Sequence, residues 1–147
     1  MTTVFEHIAA ARAQGDLSPL VAAIPYAAFL GLSCAVVDDD LITTMRYDPR
    51  LVGNPALPAL HGGTLGALLE SAAAFKLLWA AESAVLPKTI TLTIEYLRPA
   101  RPVDTRARAT ITRHGRRVAT VRVEAYQDDP GNPVATANVH FLVKREA

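Results

Sequence analysis

Cysteine is nearly absent from this chain: Cys34 stands alone among 147 residues. A single thiol excludes an intrachain disulfide and any metal site built from several cysteines, and it suits a reducing cytosol. An excess of either charge is missing too. With 15 basic and 14 acidic side chains the net charge is +1, which gives no ground to expect nucleic acid or an anionic membrane as a partner. No apolar run reaches the roughly 18–20 residues of a membrane span. The opening Met-Thr-Thr-Val-Phe-Glu-His lacks the basic start and apolar core of a signal peptide, so the expected location is cytoplasmic. Histidine is sparse. His7, His114 and His140 are dispersed, no spacing resembles a metal site, and no metal or redox cofactor is implied.

Half of the residues are hydrophobic and a fifth are charged, a balance that calls for one globular domain over residues 1–147. Within it, residues 1–25 read as an N-terminal helical extension. Val4 to Gln14 has helical spacing ended by Gly15, and a short turn or helix follows near Pro19–Ala23. Phe29 to Val37 suits a strand, Asp38-Asp39-Asp40 a tight turn, and Leu41 to Tyr47 the returning strand of a hairpin. Asp48 to Leu60, punctuated by Pro49, Gly53, Pro55 and Pro58, reads as a loop. From Gly62 to about Glu82 the chain is dense in small and straight-chain apolar residues, which predicts a long helix that is hydrophobic nearly all round and therefore buried.

The second half changes period. Thr89 to Leu97 alternates, with Ile90, Leu92, Ile94 and Tyr96 on one face and Thr89, Thr91, Thr93 and Glu95 on the other. Val103 to Arg113 alternates, His114-Gly115 turns, and Arg117 to Gln127 returns with Ala119, Val121, Val123 and Ala125 inward. Asp128 to Pro133 is a second turn before a last strand, Val134 to Lys144. A helix apolar on every side needs cover on every side. An antiparallel sheet curled around it, with a second subunit over the remainder, supplies that cover and makes this an α+β domain.

Two features of the helix carry chemistry. Gly62 and Gly63 stand at its start, where backbone N–H groups are unsatisfied and could hold a carbonyl oxygen gaining negative charge; alone, they could equally be there for a tight turn. Glu70 is the only charged residue from Gly62 to Phe75. A carboxylate in such surroundings is seldom buried unless paired or employed, and it could activate water or attack a carbonyl. Glu70 lies eight residues past Gly62, hence ~12 Å further along the axis. One helix cannot bring both groups to one carbonyl. If both act, they come from two antiparallel copies of the helix, which predicts a symmetric homodimer with its sites at the interface. His61 either orients a carbonyl or shapes the turn, and with no Ser or Cys beside it the turn is favoured. Thr89 could bond the carboxylate or simply favour the strand. Asn54 sits in the preceding loop, where asparagine is common in turns. The cluster Arg113-His114-Gly115-Arg116-Arg117 is either a solvated basic turn or a clamp for phosphates.

At these residues the chain resembles the hotdog-fold acyl-CoA thioesterases, in particular the PaaI-like branch of the phenylacetate pathway. The likeness rests on Leu60-His61-Gly62-Gly63 with an acid nine residues after the histidine, on the later strand ending Tyr96-Leu97-Arg98-Pro99-Ala100, and on the order of elements from about Phe29 to Val143. It implies an antiparallel sheet wrapped around one long central helix, and hydrolysis of an acyl-CoA to a free acid and coenzyme A. By resemblance Glu70 is the general base or nucleophile and the Gly62 N–H polarises the thioester carbonyl, from opposite subunits. Thr89 falls where the family often places a hydroxyl near the acid. Gly63, Tyr96 and the hairpin from Arg113 to Val118 are the implied substrate and coenzyme A contacts, with Phe75 and Trp79 as candidate acyl-pocket walls. Such dimers often pair into homotetramers. Two departures stand out: many members carry Asp where this chain has Glu70, and their pre-helix asparagine stands six residues before the histidine, whereas Asn54 stands seven before His61. The rival readings are an acyl-CoA hydratase or dehydratase on the same fold, which would depend on a histidine, and a non-catalytic acyl-CoA-binding protein.

Overall fold

The sheet is built from alternation and the helix from its absence. In the computed structural model, which describes residues 3–80 and 86–143, six strands form one antiparallel sheet. They are β1 (Leu32–Val37), β2 (Asp40–Met45), β5 (Lys88–Tyr96), β6 (Thr105–His114), β7 (Val118–Tyr126) and β8 (Ala135–Leu142), in the order β1-β2-β6-β7-β8-β5. A separate two-stranded hairpin pairs β3 (Val52–Asn54) with β4 (Ala59–Leu60). Three helices precede the sheet, α1 (Val4–Gln14), α2 (Ser18–Ala23) and α3 (Pro25–Phe29), and the long helix α4 (Gly62–Ala80) crosses its face.

The inner face of the sheet is lined with small residues. Ala107 and Ala109 of β6, Ala119, Val121, Val123 and Ala125 of β7, and Ala137 and Val139 of β8 are all buried. Against them α4 sets large ones, Leu65, Leu68, Leu69 and Leu77, with the small Ala72 and Ala73 between them. Large knobs on a surface of small residues let helix and sheet come together without voids. Each leucine so buried contributes roughly 1.5–3 kcal/mol. The cover is one-sided, however. Thr64, Ala67, Glu70, Ser71 and Ala74 form a stripe at helical spacing that this chain leaves half-buried. The single chain thus leaves open the side of the helix for which a second subunit was expected, and Glu70 there is half-buried.

Several boundaries differ from expectation for physical reasons. The strand expected from Phe29 begins at Leu32, because Pro25 starts one more helical turn and Gly31, at φ 68°, makes the corner into β1. The helical extension thus runs to Phe29 rather than residue 25. The β1–β2 turn is two residues, Asp38 and Asp39, both with positive φ (50° and 63°), the geometry that matches strand twist; Asp40 already belongs to β2. The stretch from Asp48 to Leu60, expected as loop, holds a single 3₁₀ turn (Pro49–Leu51) and the β3–β4 hairpin. The expected ends of the long helix at Glu82 and of the last strand at Lys144 lie outside the described residues.

Cys34 faces Thr43 across β1 and β2, with Sγ 3.5 Å from the threonine Oγ1. Burial pushes its thiol up to about 11, a shift that the Thr43 hydroxyl only partly opposes. At pH 8 the native thiol is thus almost wholly protonated, and thiolate appears only as pH approaches 11. Alkylation by iodoacetamide at pH 8 should be slower in the native protein than in the unfolded chain by about 10²-fold, since the thiolate is the nucleophile. Equal rates in the two states would contradict this placement.

Candidate active site

The start of α4 is built by what precedes it. Asp48 caps the 3₁₀ turn, its carboxylate accepting the Arg50 N–H at 2.8 Å and the Arg50 guanidinium, bonds that hold its carboxyl below the usual carboxylate range. That turn aims the Leu51 carbonyl at the His61 N–H, 2.8 Å away. His61 is then the N-cap of α4. Its Nδ1 accepts from the Gly63 N–H at 2.8 Å, and its carbonyl accepts from the Thr64 N–H at 3.0 Å and the Thr64 hydroxyl at 2.6 Å. An accepting Nδ1 requires the tautomer with its proton on Nε2. Of the two roles weighed for His61, the turn-shaping one is what these bonds display.

These contacts engage the donors of the first turn except one. Gly63, Thr64 and Leu65 all donate to His61, whereas the Gly62 N–H meets no protein acceptor among the described residues. The Gly62 peptide is also fixed from its other end. The Tyr96 hydroxyl donates to the Gly62 carbonyl at 2.8 Å, so Tyr96, although 55% exposed, pins the helix start from β5. A free, fixed N–H at a helix N-terminus is a donor suited to a carbonyl oxygen that is gaining charge.

Glu70 projects from the half-buried stripe of α4 into a pocket of about 260 Å³. Tyr26 and Ala27 of α3, Ser71, Ala74 and Phe75 of α4, and Thr89 share its walls. Lys76, the other charged residue of α4, pairs with Asp40 at 2.9 Å, and among the described residues Glu70 has no ion pair. Thr89 reaches this pocket through an irregularity that alternation could not foretell. Thr89 pairs with Phe141 but Thr91 with His140, so Ile90 is an extra residue in β5. The bulge turns Thr89 to the side of buried Phe141 and leaves Ile90 54% exposed. The expected partition, Ile90 inward and Thr89 opposite, breaks down at this end of the strand, where Thr89 comes to the Phe141 side and both residues are exposed.

The remaining candidates separate. Asn54 is exposed, and its Oδ1 accepts the Ala56 N–H at 3.0 Å, an Asx turn that closes the β3–β4 hairpin. Arg113, His114, Arg116, Arg117 and Val118 are exposed at the β6–β7 tip, where Gly115 donates its N–H to the Val118 carbonyl at 2.9 Å. Sequence reasoning missed Gly53. A Cβ there would stand 2.7 Å from the His61 Cα and 2.8 Å from its Cβ, so only glycine lets β3 lie against the cap. Its one signal was an isolated glycine between Val52 and Asn54 in a proline-punctuated stretch. Among the described residues no cluster of His, Cys, Asp or Glu could hold a metal, and no helix is long and apolar enough to cross a membrane.

A six-stranded antiparallel sheet with one long helix across it is the hotdog architecture. Residues 53–142 match the family model of the acyl-CoA thioesterase N-terminal domain. The medium/long-chain acyl-CoA thioesterase YigI of Salmonella typhimurium is 32% identical over 108 residues, covering 65% of this chain and 69% of that protein. Among solved structures, a Chromobacterium violaceum protein is 36% identical with a TM-score of 0.78, over 97% of this chain and 99% of the other. A phenylacetic acid degradation-related protein of Ralstonia eutropha is 30% identical with a TM-score of 0.75, over 96% and 100%. A Bacillus halodurans protein solved with CoA is 25% identical, also with a TM-score of 0.75, over 98% and 93%. The chain belongs to the hotdog acyl-CoA thioesterase family and is a thioester hydrolase.

Two substitutions test how the helix start is held. Gly53→Ala should destabilise the fold by about 1–3 kcal/mol in denaturant unfolding, because the added methyl meets backbone rather than a flexible side chain. His61→Ala should lose thioesterase activity and about 1 kcal/mol of stability, whereas His61→Asn, which can still cap, should recover most of both. Equal loss of activity in a stable His61→Asn protein would instead place the ring in the chemistry.

Proposed function

We propose that the protein hydrolyses acyl-CoA esters at composite sites formed by two copies of the chain. The observation that carries this reading is the pairing of one pinned donor, the Gly62 N–H, with an acid, Glu70, that has no ion pair among the described residues and lies in a largely apolar pocket. They lie ~12 Å apart along α4, so a second copy in antiparallel orientation is needed to bring the acid of one chain to the donor of the other. The half-buried stripe around Glu70 is where that copy would add cover. The edge strand β5, with Ile90, Tyr96 and Leu97 exposed beside it, is the face on which two sheets could continue into one.

In this reading the Gly62 N–H donates to the thioester carbonyl oxygen. Glu70 of the other copy takes a proton from water as the resulting hydroxide adds to the carbonyl carbon. The C–S bond then breaks, and the departing thiolate receives the proton from Glu70. Direct attack by the carboxylate, followed by hydrolysis of the anhydride, is the covalent variant of the same step. Thr89 shares the pocket and orients the acid. Tyr96 acts through the Gly62 carbonyl, while His61 and Asn54 shape the approach to the helix. The basic tip from Arg113 to Arg117 offers guanidinium groups for the phosphates of coenzyme A. The named activity of the Salmonella relative and the CoA bound in the Bacillus protein support this substrate class.

Thiol release from a series of acyl-CoA esters should show turnover by the wild type and a fall of ~10²-fold or more in Glu70→Gln, the scale of a lost general base. Undiminished activity in a folded Glu70→Gln protein would overturn the mechanism.

A further inference from the structure

The pocket beside Glu70 has an internal end. Glu70, Ala74 and Leu78 follow one another at four-residue intervals, so they lie along one line on α4, and all three line the pocket. Leu78 is 2% exposed and closes it. Leu78 also lines a second pocket, of about 270 Å³, together with Ala11, Gly15, Leu17 and Trp79. Among the described residues no charged side chain lines it. Its roof is the end of α1 and the turn that follows, its floor the last turns of α4.

Two apolar spaces that share one leucine behave as a channel with a stop. We propose that Leu78 sets the acyl-chain length, ending the pocket for a chain whose carbonyl lies at Glu70, and that the cavity beneath α1 is the space a longer chain enters once that side chain is removed. The inference rests on the thioesterase reading above and adds the residue that selects among its substrates. From the level of Glu70 to that of Leu78 is ~12 Å at the helical rise. An extended alkyl chain, with C–C bonds of about 1.5 Å and an advance of about 1.3 Å per carbon, covers this in about nine carbons. Preference should therefore peak near 8–10 carbons, and each methylene beyond the stop meets a wall rather than a partner. On this account the N-terminal helices are part of the specificity apparatus: α3 walls the first space through Tyr26 and Ala27, and α1 encloses the second.

The test is kcat/KM for thiol release from saturated acyl-CoA esters of 4 to 16 carbons, with wild type, Leu78→Ala and Ala74→Leu, each checked for a native melting transition. The wild type should fall off beyond about ten carbons. Leu78→Ala should raise the ratio of the 14-carbon to the 8-carbon ester by about tenfold or more, the size of discrimination that one or two methylenes carry in an apolar pocket. Because emptying a buried leucine can unfold a chain, Ala74→Leu provides the opposite move on a half-buried wall. It should lower the ratio of the 8-carbon to the 4-carbon ester by about tenfold. A wild type indifferent to length beyond ten carbons, or folded variants with the wild-type ratios, would overturn the role of Leu78 while leaving the thioesterase reading intact. Absence of thiol release from every ester by the wild type would overturn the thioesterase reading itself.

Discussion

Everything at the site hangs on the burial of one face of α4 against a sheet of alanines and valines. Leu65, Leu68, Leu69 and Leu77 fit onto the small residues of β6, β7 and β8, and this contact fixes the axis and rotation of the helix. Once the leucine face is committed, the stripe of Thr64, Ala67, Glu70, Ser71 and Ala74 has only one direction in which to point. The acid is thus aimed by packing elsewhere on the helix, and among the described residues no ion pair holds it. Lys76, the opposite charge on the same helix, is held away by Asp40 at the start of β2. Polar precision here is a by-product of apolar packing.

The second constraint is local and acts at the helix start. A helix beginning leaves several N–H groups to be satisfied. In this chain the cap histidine engages the donors that follow Gly62, and Tyr96 takes the Gly62 carbonyl, so one donor is left exposed in a fixed direction. The residues that do this come from four places in the sequence: the 3₁₀ turn through Leu51, the hairpin glycine Gly53, the cap His61 and the edge strand through Tyr96. A substitution at any of them would act on the same N–H without touching a substrate.

Much of this was legible in the sequence, and the parts that were not share a cause. The inward alanines and valines of β7 and the extent of α1 followed from period, and the start of α4 at Gly62 from a glycine pair heading a dense apolar run. The resemblance carried by His61, Gly62, Gly63 and Glu70 led to the family that the comparisons then gave. Where reading failed, a single residue or a tertiary contact decided the outcome. The bulge at Ile90 reverses the facing of Thr89 because of pairing with β8, which strand alternation does not encode. The β3–β4 hairpin is too short to show a period. Composition marked α4 as apolar all round, yet its open stripe exists because the sheet of one chain covers one side only.

The central claim is that one active site takes its donor from one chain and its acid from another, and subunit mixing tests it most directly. Gly62→Pro removes the donor while keeping a residue well suited to the first helical position; Glu70→Gln removes the base. Each variant alone should be inactive. If the site is shared across a two-fold axis, co-refolding equal amounts makes half the dimers mixed, each with one intact site of its two, and about a quarter of wild-type activity should return. A mixture as inactive as its parents, with mixed dimers demonstrably present, would mean that donor and acid do not act together across the interface.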